Sequence, residues 1–194
     1  MSVSRRRLLL GGLAGAGLAG AGLACPGLAR PGLARTVCAN PAPVASCRRI
    51  AFLNLHTHEH LDIDYFRDGE YVAEAQTKIQ HVLRDFRNGE VHAIDPALLD
   101  YLVEVAAKLG GEPRFGVVSG YRTPATNETL REHSSGVAQR SLHMQGRAID
   151  VRMAGIDCAD LARHAQDLQR GGVGYYRASD FVHLDTGAPR TWRG

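Results

Sequence analysis

His143 and Asp150 stand seven positions apart, and His183 follows 33 residues after Asp150. Two imidazoles and a carboxylate are the donor set of a catalytic zinc, which takes three protein ligands and keeps a fourth position for water. No single helix or strand brings such positions together by its own period, so a chain that uses all three must fold back on itself. Gly146, between the first two, is the residue able to take the backbone angles of that reversal.

The local patterns supply the elements for such a fold. Arg49 to Leu55 reads as a strand leading into His56, and Tyr71 to Asn88 as a helix with Val72, Ala75, Ile79, Val82, Leu83 and Phe86 at helical spacing. Asp95-Pro96 begins a second helix as cap and first-turn proline. Leu98, Leu99, Leu102, Val105, Ala106 and Leu109 form its apolar face, and Gly110-Gly111 stops it. Phe115 to Tyr121 is a short strand, Thr126 to Glu132 adds a helical turn or two, and His133 to Arg140 is a polar loop. Ala148 to Met153 alternates as a strand, with Ile149, Val151 and Met153 on one face and Asp150 on the other. Asp157 caps a helix carrying Leu161, Ala165 and Leu168, and Val173–Tyr176 pairs antiparallel with Phe181–Asp185. Helices before and between short strands predict an α+β domain, a small antiparallel sheet with flanking helices.

The first 34 residues stand apart from this domain. Arg5, Arg6 and Arg7 precede a run from Leu8 to Ala24 that contains only Leu, Gly and Ala. That is the pattern of an export signal, and the arginine pair before a glycine-rich apolar stretch resembles a twin-arginine leader. Gly-Leu-Ala recurs at Gly22, Gly27 and Gly32, so cleavage after Ala24, Ala29 or Ala34 is compatible with it. Cys25 offers a lipoprotein alternative, weakened by Gly22 where leucine is usual. Residues 35–47 read as a linker, and residues 48–194 as the folded domain. The net charge of +3 comes from the leader: Arg5, Arg6, Arg7 and Arg30 account for four of the 23 basic residues, leaving 19 against 20 acids. The mature chain therefore carries no electrostatic signature of nucleic-acid or membrane-surface binding, and no second segment is apolar enough to span a bilayer. Cys38 and Cys47 are spaced for a bridge outside the cytoplasm, or are unpaired and incidental; Cys158 reads as buried. The oligomeric state is left open.

In Phe181–Asp185, Val182 and Leu184 take the buried face, so His183 and Asp185 point the same way. Asp180 lies three residues before His183. On an ideal strand these two would oppose each other, so Asp180 reaches the same site only from a turn or a bulge; its expected role is to take the proton of the attacking water. Ser119-Gly120-Tyr121-Arg122-Thr123-Pro124 ends a strand with an arginine, able to clamp a carboxylate or steady an oxyanion. Local sequence alone favours a surface arginine. His56, His58 and His60 alternate and would form a second metal site if they shared a face, against the preferred reading of an exposed strand end. His81, His92, His133 and His164 have no partners at ligand spacing.

Ser-Gly-Tyr-Arg-Thr-Pro, then Ser141-x-His143-x-x-Gly146-x-Ala148-x-Asp150, then Gly171-Gly172-Val173-Gly174-Tyr175-Tyr176, then Phe181-Val182-His183-Leu184-Asp185-Thr186-Gly187 occur in order. Over roughly Arg49 to Arg193, this set resembles the murein endopeptidase K-like group of zinc D-alanyl-D-alanine peptidase relatives. The resemblance implies the hedgehog/DD-peptidase fold, one zinc ion, and hydrolysis of amide bonds in peptidoglycan stem peptides or cross-links, endopeptidase favoured over carboxypeptidase. It implies His143, Asp150 and His183 as zinc ligands, Asp180 as general base and Arg122 as electrostatic stabiliser. Ser141 becomes a polar contact to substrate, and Asp185 a residue that orients His183 from behind. One departure is His56-Thr57-His58-Glu59, where relatives more often show His-Thr-Gly-Glu. The competing class is a non-catalytic, zinc-stabilised module that binds cell wall or a partner; it has no use for Asp180 or Arg122. A metal-binding protein centred on His56, His58 and His60 ranks third.

Overall fold

The computed structural model describes residues 47–134 and 136–194. The leader, the residues of the linker before Cys47, Cys25, and the Cys38 half of the bridge lie outside the described residues.

Eight strands form one mixed sheet: β1 (Cys47–Asn54), β2 (His60–Arg67), β3 (Glu70–Tyr71), β4 (Arg114–Ser119), β5 (Ala148–Met153), β6 (Gly172–Tyr176), β7 (Phe181–Asp185) and β8 (Arg190–Arg193). Their order across the sheet is β3-β2-β1-β4-β5-β7-β6-β8. Pairs β1·β4 and β6·β8 are parallel, and the others are antiparallel. The class is α+β, as expected. The sheet is wider than the sequence pattern suggested, and two crossovers make it mixed.

Four helices accompany it: α1 (Ala73–Val82), α2 (Pro96–Lys108), α3 (Pro124–His133) and α4 (Cys158–Leu168). Helix α1 packs on β2, α2 on β1 and α4, and α4 on β5, β6 and β7. The core lies between them and one sheet face, where Ile50, Phe52, Val117, Ile149, Val151, Val173, Val182 and Leu184 meet Leu98, Leu102, Val105 and Leu161. Alternation along the strands leaves Asp150 and His183 on the other face.

Two caps were legible: Asp95 accepts from the Ala97 amide and Asp157 from that of Ala159, each ahead of a helix. Thr123 does the same for the Thr126 amide ahead of α3, which begins two residues before the expected start. Helix α1 stops at Val82 rather than near Asn88. The Leu83 carbonyl, which would continue the ladder, accepts the Tyr121 amide at 2.8 Å instead. Gly120 permits that approach, because a Cβ there would collide with Leu83. The chain after the helix is thus tied to the loop that carries Arg122.

Strands β2 and β3 form a hairpin through Asp68-Gly69, both at positive φ (54° and 90°), the signature of a type I′ turn. Asp100 on α2 anchors it, accepting from the Tyr65 and Tyr71 hydroxyls at 2.9 and 2.7 Å and pairing with Arg48 at 2.6 Å.

Candidate metal centre

Three segments bring the ligand-type residues together. Ser141 opens a single 3₁₀ turn, Leu142–Gln145, that carries His143 and ends at Gly146 in the left-handed region, φ 64°. A Cβ on Gly146 would overlap the Ala93 carbonyl oxygen, so the glycine serves both the turn and the close approach of the chain before α2. Asp150 on β5 and His183 on β7 are direct partners in the antiparallel register. The ladder therefore places them side by side despite their separation in sequence.

His143 is fully buried, and its Nδ1 donates to the Gly120 carbonyl at 2.6 Å. A carbonyl can only accept, so Nε2 is the free nitrogen. It stands 3.2 Å from Asp150 Oδ1 and 3.1 Å from His183 Nδ1. The His183 Nδ1 lies 2.8 Å from the same carboxylate oxygen, and its Nε2 is 3.0 Å from Asp185 Oδ2. Burial holds His143 below its ordinary value and so neutral. Burial pushes the Asp150 carboxyl up, but the two imidazoles outweigh it and hold it well below the usual carboxylate range. His183 moves the other way: burial lowers it, and the Asp150 and Asp185 carboxylates more than compensate.

The donor set fits a metal ion on its own chemistry. An imidazole lone pair, a carboxylate and a second imidazole nitrogen converge in a buried spot. Without a cation, a proton on one of the two imidazole nitrogens must stand between them. Two neutral-capable imidazoles and one carboxylate oxygen are the ligands a zinc site uses.

The triplet opens into a cavity of about 470 Å³ lined by Arg122, Arg140, Ser141, Tyr176, Phe181 and Trp192 among others. Arg122 is largely buried, and burial lowers its pKa from the usual guanidinium value. Its Nη2 donates to Ser141 Oγ at 3.2 Å, while its Nε has no partner. Behind it, the buried carboxylate of Asp85 accepts from the Thr123 amide at 2.9 Å and hydroxyl at 3.0 Å, which fixes the backbone next to the arginine.

Asp180 lies on the turn before β7, at φ 50°, the placement that a role beside His183 requires. Its side chain is 68 % exposed, with Oδ2 3.7 Å from Arg152 Nε. It borders a depression with Arg152, Met153 and Cys158. The Cys158 thiol is pushed up to about 11, by burial first and then by the neighbouring Asp180 carboxylate. Phe181, which shares the parity of His183, lines the cavity beside the triplet. Among the described residues, Asp150 is the one carboxylate in that cavity's lining.

His56, His58 and His60 do not converge. His56 stacks on Phe86 and bonds the Val118 carbonyl at 3.0 Å, and His58 sits at φ 59°. The one cluster of ligand type found among the described residues is His143, Asp150 and His183. Asp185 has no exposed surface and lies directly behind His183. Arg190 and Trp192 border the centre, and the sequence offered no sign of either, since both come from a short edge strand without alternation.

A buried His–Asp–His triplet on the solvent-side face of an α+β sheet, open to a cleft with a buried arginine, defines a metallopeptidase. The chain belongs to the M15_2 peptidase family described as peptidoglycan L,D-endopeptidase MepK, which matches residues 42–192. It is 39% identical to the peptidoglycan L,D-endopeptidase MepK of Escherichia coli K12 over 145 residues, covering 75% of this chain and 80% of the relative. The probable peptidoglycan L,D-endopeptidase MepK of Haemophilus influenzae is 37% identical over 148 residues, covering 76% and 80%. No solved structure matches the chain.

Proposed function

We propose that this protein is a zinc-dependent endopeptidase of peptidoglycan, with His143, Asp150 and His183 as the ligands of one zinc ion. The observation that carries the reading is the convergence of three unshared donor positions beside a cleft that also holds Arg122. The names of the relatives point to the substrate, an amide within cross-linked stem peptides. When bound, zinc supplies a Lewis acid at the scissile carbonyl and acidifies a water molecule.

The chain's own residues do the rest. Arg122, with Nε unpartnered inside the cleft, meets a substrate carboxylate or the oxygen on which negative charge develops. Ser141 holds one arm of that guanidinium and adds a hydroxyl to the cleft wall. Asp185 receives the His183 Nε2 proton, so Nδ1 faces the cleft. Arg140 also lines the cleft, and no carboxylate partner for it is found among the described residues, which suits an anionic peptide. Such a substrate lies outside the cytoplasm, in keeping with the leader. Among the described residues no helix is long and apolar enough to cross a membrane.

The test is digestion of peptidoglycan and of purified cross-linked muropeptides, followed by mass spectrometry. New products with zinc that disappear with chelator and in His143→Ala are expected. Arg122→Ala is expected to lower kcat/KM about 10²–10³-fold, in the range for a lost charge-stabilising donor. Wild-type activity that survives complete zinc removal would sink the reading.

A further inference from the structure

Strand β8 does not touch β7, since β6 lies between them, yet two of its side chains reach the metal centre. The passage is made of glycine. In the register, Gly172 faces Arg190, and Gly174 faces both Trp192 and His183. A Cβ on Gly172 would stand 2.5 Å from Arg190 Nη1 and from Asp185 Oδ2, and one on Gly174 would stand 2.5 Å from the Trp192 ring. Any side chain at either position would block the route from β8 to β7.

Through that gap, Arg190 contacts Asp185 with both terminal nitrogens, Nη2 to Oδ2 at 2.6 Å and Nη1 to Oδ1 at 3.1 Å. The amides of Gly172 and Gly187 donate to the same carboxylate at 3.0 and 2.8 Å. His183 Nε2 completes the set at 3.0 Å. Trp192 packs on the His183 ring, centroids 5.1 Å apart, and Arg190 lies over the Trp192 ring at 5.1 Å.

We infer that Arg190 is a positioning residue for the metal centre, acting through Asp185, with Trp192 bracing the ring it orients. The inference rests on the reading of His183 as a metal ligand. Among the described residues, Arg190 is the one cation paired with the buried Asp185 carboxylate, apart from His183 itself. With Arg190 in place, Asp185 keeps a fixed rotamer and stays a pure acceptor, so the His183 Nε2 carries the proton and Nδ1 is directed at Asp150 and His143. Without it, the carboxylate loses its bidentate partner and is free to rotate, and the imidazole loses its fixed orientation.

The experiment compares wild type, Arg190→Ala, Arg190→Lys, Asp185→Asn and the Arg190→Ala/Asp185→Asn double variant. Zinc affinity is read by competition with a chromophoric chelator, the cobalt(II)-substituted visible spectrum reports ligand geometry, and thermal melting of the zinc-free proteins reports the fold. Both single alanine and asparagine changes are expected to weaken zinc binding about 10–100-fold and alter the cobalt bands. The double variant should lose no more than the worse single one, because the two residues act in series. Arg190→Lys should recover part of the loss and keeps the test open if the alanine variant folds poorly. Wild-type zinc affinity in Arg190→Ala, or losses that multiply in the double variant, would overturn the inference. If the wild-type protein itself binds no zinc, the metal reading falls, and this inference with it.

Discussion

Asp180→Asn tests the base role that the three-residue spacing before His183 suggests. A general base contributes about 10²–10⁴-fold to rate, equal to about 2.7–5.5 kcal/mol of barrier. Asparagine is the right replacement, because it tolerates the left-handed backbone that Asp180 adopts at φ 50°. Folded-state losses are small: the contact with Arg152 spans 3.7 Å and the carboxylate is 68 % exposed. An ion pair of that kind is worth about 0–1 kcal/mol. The expected outcome for a general base is therefore a fall in kcat/KM of about 10²–10⁴-fold at unchanged zinc content and melting. The assay is steady-state cleavage of a defined cross-linked muropeptide, with zinc content and melting temperature measured on the same samples. A kcat/KM within about threefold of wild type, less than about 0.7 kcal/mol of barrier, would refute a base role for Asp180.

Three further outcomes are expected. Zinc affinity falls as pH drops through the His183 pKa, which lies above its ordinary value, because zinc must displace the proton on Nδ1; calorimetry in buffers of different ionisation heat should show proton release below that pKa and little above it, and a pH-independent affinity would contradict this. Gly146→Ala should cost about 2–5 kcal/mol in urea denaturation, from the left-handed backbone and the overlap with Ala93, and a stability loss under 1 kcal/mol would mean the turn relaxes freely. At Asp85, burial raises the pKa, and hydrogen bonds from Thr126, Thr123 and Arg87 outweigh it, so the folded value is depressed. Its stabilisation is present above the unfolded carboxylate value of about 3.9 and lost as pH falls through the folded one. Wild type should thus exceed Asp85→Asn by about 1–3 kcal/mol at pH 7 and by progressively less below pH 4, whereas a gap that stays constant with pH would rule out the ionised form as its source.

The metal triplet was legible because ligand chemistry is carried by residue type, and His143, Gly146 and Asp150 lie in one short stretch. The starts of α2 and α4 were marked by local chemistry, a capping aspartate in each and a first-turn proline in α2. Where long-range partners decide, local pattern failed. Helix α1 has apolar spacing through Phe86, yet Tyr121 claims the Leu83 carbonyl and ends it early. The hairpin of β2 and β3 was missed although Asp68-Gly69 is a turn signal, because polar residues dilute its strands. Arg190 and Trp192 reach the centre across an intervening strand, a relation that no one-dimensional spacing encodes.

The register pairing of Asp150 with His183 would make a bound zinc ion a judge of folding. A slip of β7 by one residue against β5 would turn His183 toward the helices and bring Leu184 or Val182 out in its place. Such a chain could hold most of its apolar contacts and much of its ordinary spectroscopic signature, yet it would have one donor missing. Zinc would stabilise only molecules with the correct pairing and draw the population toward them by mass action. Occupancy measured on a freshly refolded sample would then count properly threaded molecules, a census that circular dichroism cannot take.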